Sequence, residues 1–66
     1  MKILGISAFY HSSAVTILND GKISFAAEEE RFTRVKHDKN FPYNALNFCL
    51  DSSKLTMDDI DLVAFY

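Results

Sequence analysis

The run LVAFY, residues 62–66, constrains this chain more than any other stretch. Five consecutive apolar residues read as a strand buried on both faces, the pattern of parallel strands in α/β sheets. A parallel strand has to be reached by a crossover from an earlier strand, and the sequence supplies a helix for it. Pro42 suits a first helical position, where its missing N–H costs nothing. Ala45, Phe48, Cys49 and Ser52 then share one stripe, widened by Leu46 and Leu50. The helical pattern fades near residues 52–54. Thr56 with Asp59 three residues on resembles a capping box, with Asp a weaker partner than Glu, and predicts one helical turn before the final strand.

Three strands precede the helix. In residues 2–10, Ile3, Gly5, Ser7 and Phe9 alternate with Leu4, Ile6, Ala8 and Tyr10. Both sets are mostly apolar, which predicts a strand covered on both sides. After the short connection HSS, residues 14–19 are rich in the β-branched Val15, Thr16 and Ile17. Asp20-Gly21 follows, a hairpin signal because glycine accepts the positive φ that the turn demands. Residues 22–29 therefore form a third strand, antiparallel to the second. The order is β-β-β-α-β in a mixed sheet, and the right-handed crossover rule lays residues 62–66 parallel to the first strand on its free side. No turn or polar tail follows LVAFY, so the 66 residues are expected to be an N-terminal fragment of a longer protein.

A chain of this length buries roughly 60% of its unfolded surface, and nothing staples it. Its one cysteine, Cys49, cannot form an internal disulfide, and His11, His37 and Cys49 have no recognised ligand spacing, so no metal is expected from these residues alone. The lone thiol fits a reducing compartment. With no signal peptide and no apolar run near the roughly 18 residues of a membrane span, the expected location is cytoplasmic. A formal net charge of -2 gives no general attraction to nucleic acid.

Chemistry concentrates in two places. His11 stands at the bend between strands one and two, where it is either a solvated turn histidine or a group that polarises a carbonyl or anion. The segment EEERFTRVKHDK sets Glu28, Glu29 and Glu30 against Arg31, Arg34, Lys36, His37 and Lys39. Three readings compete: a solvated ion-paired face with Glu29 and Arg31 as partners, a nucleic-acid contact that the Glu triplet opposes, or an anion site in which fixed glutamates orient the cations. Spacing alone does not decide whether this segment meets the His11 bend. No P-loop, GxGxxG or nucleophile–base pair occurs.

The whole pattern resembles the start of the nodulation- and antibiotic-type O-carbamoyltransferases. In that family the first strand ends in a His-Asp-Ser-Ala bend, followed by an Asp-Gly hairpin and then EERFTR.KHD..FP..A...CL. Here HSSA, NDG, EEERFTRVKHD, FP and CL occur in that order at matching spacing across nearly the whole chain. The resemblance implies that residues 1–66 open an actin-like (ribonuclease-H-like) domain similar to the universal tRNA threonylcarbamoyladenosine enzyme, the rest of that domain and a YrdC-type domain lying outside the segment. It implies ATP and carbamoyl phosphate as sources of a carbamoyl-adenylate, a divalent metal such as iron held by residues beyond Tyr66, and a hydroxyl of a small molecule as acceptor. His11 and Lys36 fall on the family's active-site histidine and lysine. Ser12, Glu29, Arg31, Arg34 and His37 would orient substrate or support those two, with Glu29, Arg31 and Arg34 pairing to fix Lys36. Ser12 stands where the family has Asp, so it would orient His11 more weakly.

Against this stand two other readings, a freestanding interaction module that self-associates or recruits a partner through exposed strand edges, and a nucleic-acid binder using the Arg/Lys segment. A fragment of a carbamoyltransferase would be inactive by itself, would bind no cofactor alone, and would need the rest of its own chain; no nucleic acid or membrane partner is expected.

Overall fold

The computed structural model describes residues 1–9 and 12–65. The Asp20-Gly21 turn does what its sequence requires: Asp20 has φ +52° and Gly21 φ +84°. That turn joins β2 (Ala14–Asn19) to β3 (Lys22–Glu28), while β2 also runs antiparallel to β1 (Lys2–Ser7). A short helix α1 (Glu30–Thr33), the long helix α2 (Tyr43–Ser53), a 3₁₀ turn (Met57–Asp59) and β4 (Leu62–Phe65) follow. The sheet order is β3-β2-β1-β4, with β4 parallel to β1 on its free side. The mixed α/β sheet and the crossover helix from the three-stranded meander to β4 therefore stand as expected from the sequence, with the short α1 added in the charged segment.

Nothing lies within 4 Å of a Cβ built on Gly21, so an alanine would fit; its strain would come from the positive φ alone. Gly21→Ala is expected to cost about 1 kcal/mol, read as a lower midpoint in urea unfolding with an unchanged slope.

The core lies on one face of the sheet. Leu4, Val15 and Ile17 are fully buried, and Ile6 and Ala27 nearly so, beneath Ala45 and Cys49 of α2. Each large side chain buried in this way contributes about 1.5–3 kcal/mol. The small residues at 45 and 49 let α2 lie close against β2, with Cys49 Sγ 3.9 Å from the carbonyl of Val15. Burial pushes the Cys49 thiol pKa up.

Several expectations change. The first strand ends at Ser7 rather than residue 10, and Phe9 has φ +74°, which breaks extended geometry; Tyr10 lies outside the described residues. The third strand ends one residue early because Glu29 is already in the right-handed helical region. Pro42 precedes α2 instead of opening it. Only one face of β1 is covered within this chain: Ile3, Gly5 and Ser7, on the other face, are half-buried. The α2 stripe is narrower than predicted, since Phe48 and Ser52 are exposed. Phe48 instead lies against Phe32 of α1, ring centroids 5.5 Å apart. The last strand has the expected pairing without the expected burial: Leu62, Val63 and Phe65 are each about half exposed, because α2 packs on β2 and β3. Phe9 stacks on Phe65 at 6.3 Å, and Lys2 and Asp61 exchange hydrogen bonds of 2.7 and 2.8 Å that fix the start of β4. The capping box of Thr56 and Asp59 is present.

Candidate functional site

Immediately after β3 the chain turns inward at Glu29, which is 3% exposed. Its carboxylate receives the backbone N–H of Ala45 at 2.7 Å on one oxygen, and the backbone and side-chain N–H groups of Asn44 at 3.2 and 2.9 Å on the other. A helix leaves its first N–H groups without internal partners. The residue before α2 is a proline with no side-chain acceptor, so Glu29 caps the helix from fifteen residues upstream. The expected ion pairing with Arg31 or Arg34 does not occur among the described residues, where the one ion pair joins the Met1 ammonium to Asp20. That ammonium holds the Asp20 carboxyl below the usual carboxylate range.

Residues 34–40 form a loop built around a second buried carboxylate. Asp38, 4% exposed, accepts the Thr33 hydroxyl at 2.7 Å on one oxygen and both the backbone and side-chain N–H of Asn40 at 3.0 Å on the other. The Asn40 backbone N–H and the Thr33 hydroxyl hold its pKa below the ordinary value. Its backbone N–H donates to the carbonyl of Val35 at 3.1 Å, closing a turn that carries Lys36 and His37 at its tip. Arg34 and His37 both take positive φ, +62° and +55°. His37 donates its backbone N–H to Glu30 Oε1 at 2.9 Å.

This loop and the β1–β2 connection meet. Phe9 N–H donates to the carbonyl of Lys39 at 2.7 Å, and Ser13 N–H to that of Asp38 at 2.7 Å. The fully buried Ser13 donates its hydroxyl to the carbonyl of Asn40. Ser13 in turn accepts from Glu29 N–H at 2.9 Å. Ser12 Oγ lies 3.2 Å from His37 Nδ1. The two regions that carry the candidate residues are thus bound together by backbone. His11, between Phe9 and Ser12, lies outside the described residues.

Lys36 is exposed at the loop tip and makes no ion pair among the described residues. Arg31 and Arg34, both exposed, line an open groove of about 660 Å³ on the helix-free face of β2 and β3. Its floor is Ala14, Thr16 and Ala26, and Glu28 and Glu30 share its rim. Among the described residues no three His, Cys, Asp or Glu side chains come together to hold a metal ion. No helix there is long and apolar enough to cross a membrane.

Sequence reasoning missed Asp38, Asn40 and Ser13. Asp38-Lys39-Asn40 carries a readable signal, since an Asp that accepts from the N–H two residues on is a recurrent turn device. The Glu29 cap carries none, because its donors lie far along the chain.

Residues 2–66 match the family described as carbamoyltransferase N-terminus. The chain is similar to an uncharacterised protein of Synechocystis, with 48% identity over 64 residues, covering 97% of this chain and 10% of that protein. It is 35% identical over 60 residues to the nodulation protein NolNO of Sinorhizobium fredii, covering 91% of this chain and 9% of that protein. An uncharacterised protein of Methanocaldococcus jannaschii is 39% identical over 62 residues, 94% of this chain and 12% of its own length. The chain thus spans about a tenth of each of these three relatives.

Proposed function

The chain belongs to the carbamoyltransferase N-terminus family, and from that premise we propose that it is the N-terminal piece of a cytoplasmic O-carbamoyltransferase. In this reading carbamoyl phosphate and ATP give a carbamoyl-adenylate, and the carbamoyl group passes to a hydroxyl of a small-molecule acceptor. The acceptor oxygen attacks the carbamoyl carbon, its proton goes to the His11 imidazole, and the bond from that carbon to the adenylate oxygen breaks, releasing AMP. Lys36 neutralises the oxyanion or the departing phosphate. Arg31 and Arg34, on the neighbouring groove, add positive charge where the adenylate phosphate approaches. The rest of the longer chain supplies the remainder of the domain, the adenylate-forming part and the cover for β4.

A divalent metal such as iron is proposed for the whole enzyme. The described residues offer no ligand set for it, and no step here is routed through it.

The observation that supports the reading is the backbone junction at Phe9, Ser13, Asp38 and Lys39, which binds the described residues on either side of the His11 position to the loop that carries Lys36. The nucleic-acid alternative loses support from the same site, because Glu28 and Glu30 share the groove with the arginines. The test is incubation of the full-length protein with ATP, carbamoyl phosphate and a panel of hydroxyl compounds, followed by mass spectrometry. A carbamate ester on one acceptor, formed only with both cosubstrates, is expected. Formation of the adenylate without transfer to any hydroxyl would count against the reading.

A further inference from the structure

We propose that Asp38 is a positioning residue for the transfer site, holding the loop of Lys36 and His37 against Phe9 and Ser13 through a buried hydrogen-bond hub; the inference rests on the carbamoyltransferase reading. Asp38 does not line the groove, and at the loop tip it acts through its backbone N–H, bonded to the Val35 carbonyl. Its two oxygens instead tie together the two limbs of the loop: Thr33 at the end of α1 and Asn40 at the loop's exit. Both limbs are themselves anchored. Thr33 N–H bonds to the carbonyl of Glu29, and the carbonyl of Asn40 receives the Ser13 hydroxyl. The backbone of Asp38 completes the link, since its carbonyl takes the Ser13 N–H.

The backbone strain around the hub gives it something to hold. Phe9, Arg34 and His37 are non-glycine residues at positive φ, and all three flank this junction. Such conformations cost of order 1–3 kcal/mol each and persist where the surroundings over-determine them. Here the strained tip carries the lysine and histidine, and the buried carboxylate beneath them supplies the determination. Without the hub, Lys36 keeps its charge and loses its place, and a misplacement of about 1 Å can cost roughly 10²-fold in rate.

The chemistry of the hub also says which substitution should be tolerated. The oxygen facing Asn40 must accept, but the Thr33 hydroxyl can turn and accept instead of donating. Asn in place of Asp38 therefore preserves every bond with its amide nitrogen toward Thr33. Ala preserves none.

The test uses the full-length protein with Asp38→Ala, Asp38→Asn, Lys36→Ala and the Lys36→Ala/Asp38→Ala double variant. Hydrogen exchange is followed by mass spectrometry in peptides that report the amides of Phe9 and Ser13, with Asn44 and Ala45 as internal controls. Expected are exchange at least about tenfold faster at Phe9 and Ser13 in D38A, unchanged protection at Asn44 and Ala45, and a kcat lower by about 10²-fold. D38N recovers most of that loss, and adding D38A to K36A costs little more than K36A alone. If D38A fails to fold, Thr33→Val removes one donor to Asp38, together with the acceptor of the Val35 N–H at 3.3 Å, and is expected to loosen the same two amides. Wild-type exchange at Phe9 and Ser13 in both D38A and T33V overturns the inference, and so does a D38A loss that multiplies in full with K36A. If K36A leaves transfer untouched, the carbamoyl-transfer role of Lys36 fails, and the exchange rates alone decide the hub.

Discussion

Lys36→Ala in the full-length protein is expected to lower the rate of carbamoyl transfer by about 10²–10³-fold, the loss typical of removing one group that meets developing charge. The structure makes this variant clean. Lys36 is exposed at the tip of its turn, accepts no backbone role that alanine cannot fill, and joins no ion pair among the described residues. Removing its side chain therefore leaves the hub at Asp38 and the cap at Glu29 in place, and the thermal midpoint should hold. Lys36→Arg keeps the charge but spreads it over a planar fork, so an intermediate rate is expected. The measurement is transfer with carbamoyl-adenylate supplied directly, which isolates this step from adenylate synthesis. An unchanged rate would remove Lys36 from the mechanism. His11→Asn should have a comparable effect, an expectation that rests on the family resemblance and on the anchoring of its neighbours Phe9, Ser12 and Ser13.

The largest loss of stability is expected at Glu29, and the isosteric Glu29→Gln should be almost as harmful as Glu29→Ala. Both oxygens of Glu29 accept, one from Ala45 and the other twice from Asn44. A glutamine has one acceptor oxygen, so its amide nitrogen must face a backbone N–H that has no other partner. Unmatched at the start of α2, such a donor costs about 1–3 kcal/mol, a figure that already contains the lost cap. The loss is expected as a clearly lower melting midpoint of the full-length variants. Calorimetry of the purified variants would show it, and a midpoint within a few degrees of wild type would mean that Glu29 is not the cap that fixes α2. The contrast with Asp38 is chemical: a hydroxyl can reverse its bond, whereas a backbone N–H cannot.

The fold was legible where local chemistry determines it. Asp20-Gly21 dictates a hairpin whatever surrounds it, and LVAFY dictates a strand that a helix must reach by crossing over. The capping box at Thr56 and Asp59 is likewise contained in four residues. The site was legible only as a set of residue types. Glu29 and Arg31 are close enough in sequence to suggest an ion pair, yet burial turns the glutamate toward a helix fifteen residues on. Nothing in a pattern of charges tells which of three adjacent glutamates lies on the inward face once β3 ends. The register shift between Ile17 and Leu18 was equally unreadable, because it depends on how β3 pairs rather than on either residue. The meeting of Ser12 with His37 required the whole loop to be placed first.

The two inward carboxylates reshape what an approaching molecule meets first. Glu29 and Asp38 keep their charge, because neutral N–H and O–H groups satisfy a carboxylate without cancelling it, but both are turned away from solvent. What residues 28–40 present to solvent is then Arg31, Arg34, Lys36 and Lys39 against Glu28 and Glu30 alone. The segment is neutral as a whole, and its cations lie outermost. An anion at contact range therefore meets positive charge first, an attraction that weakens as ionic strength rises.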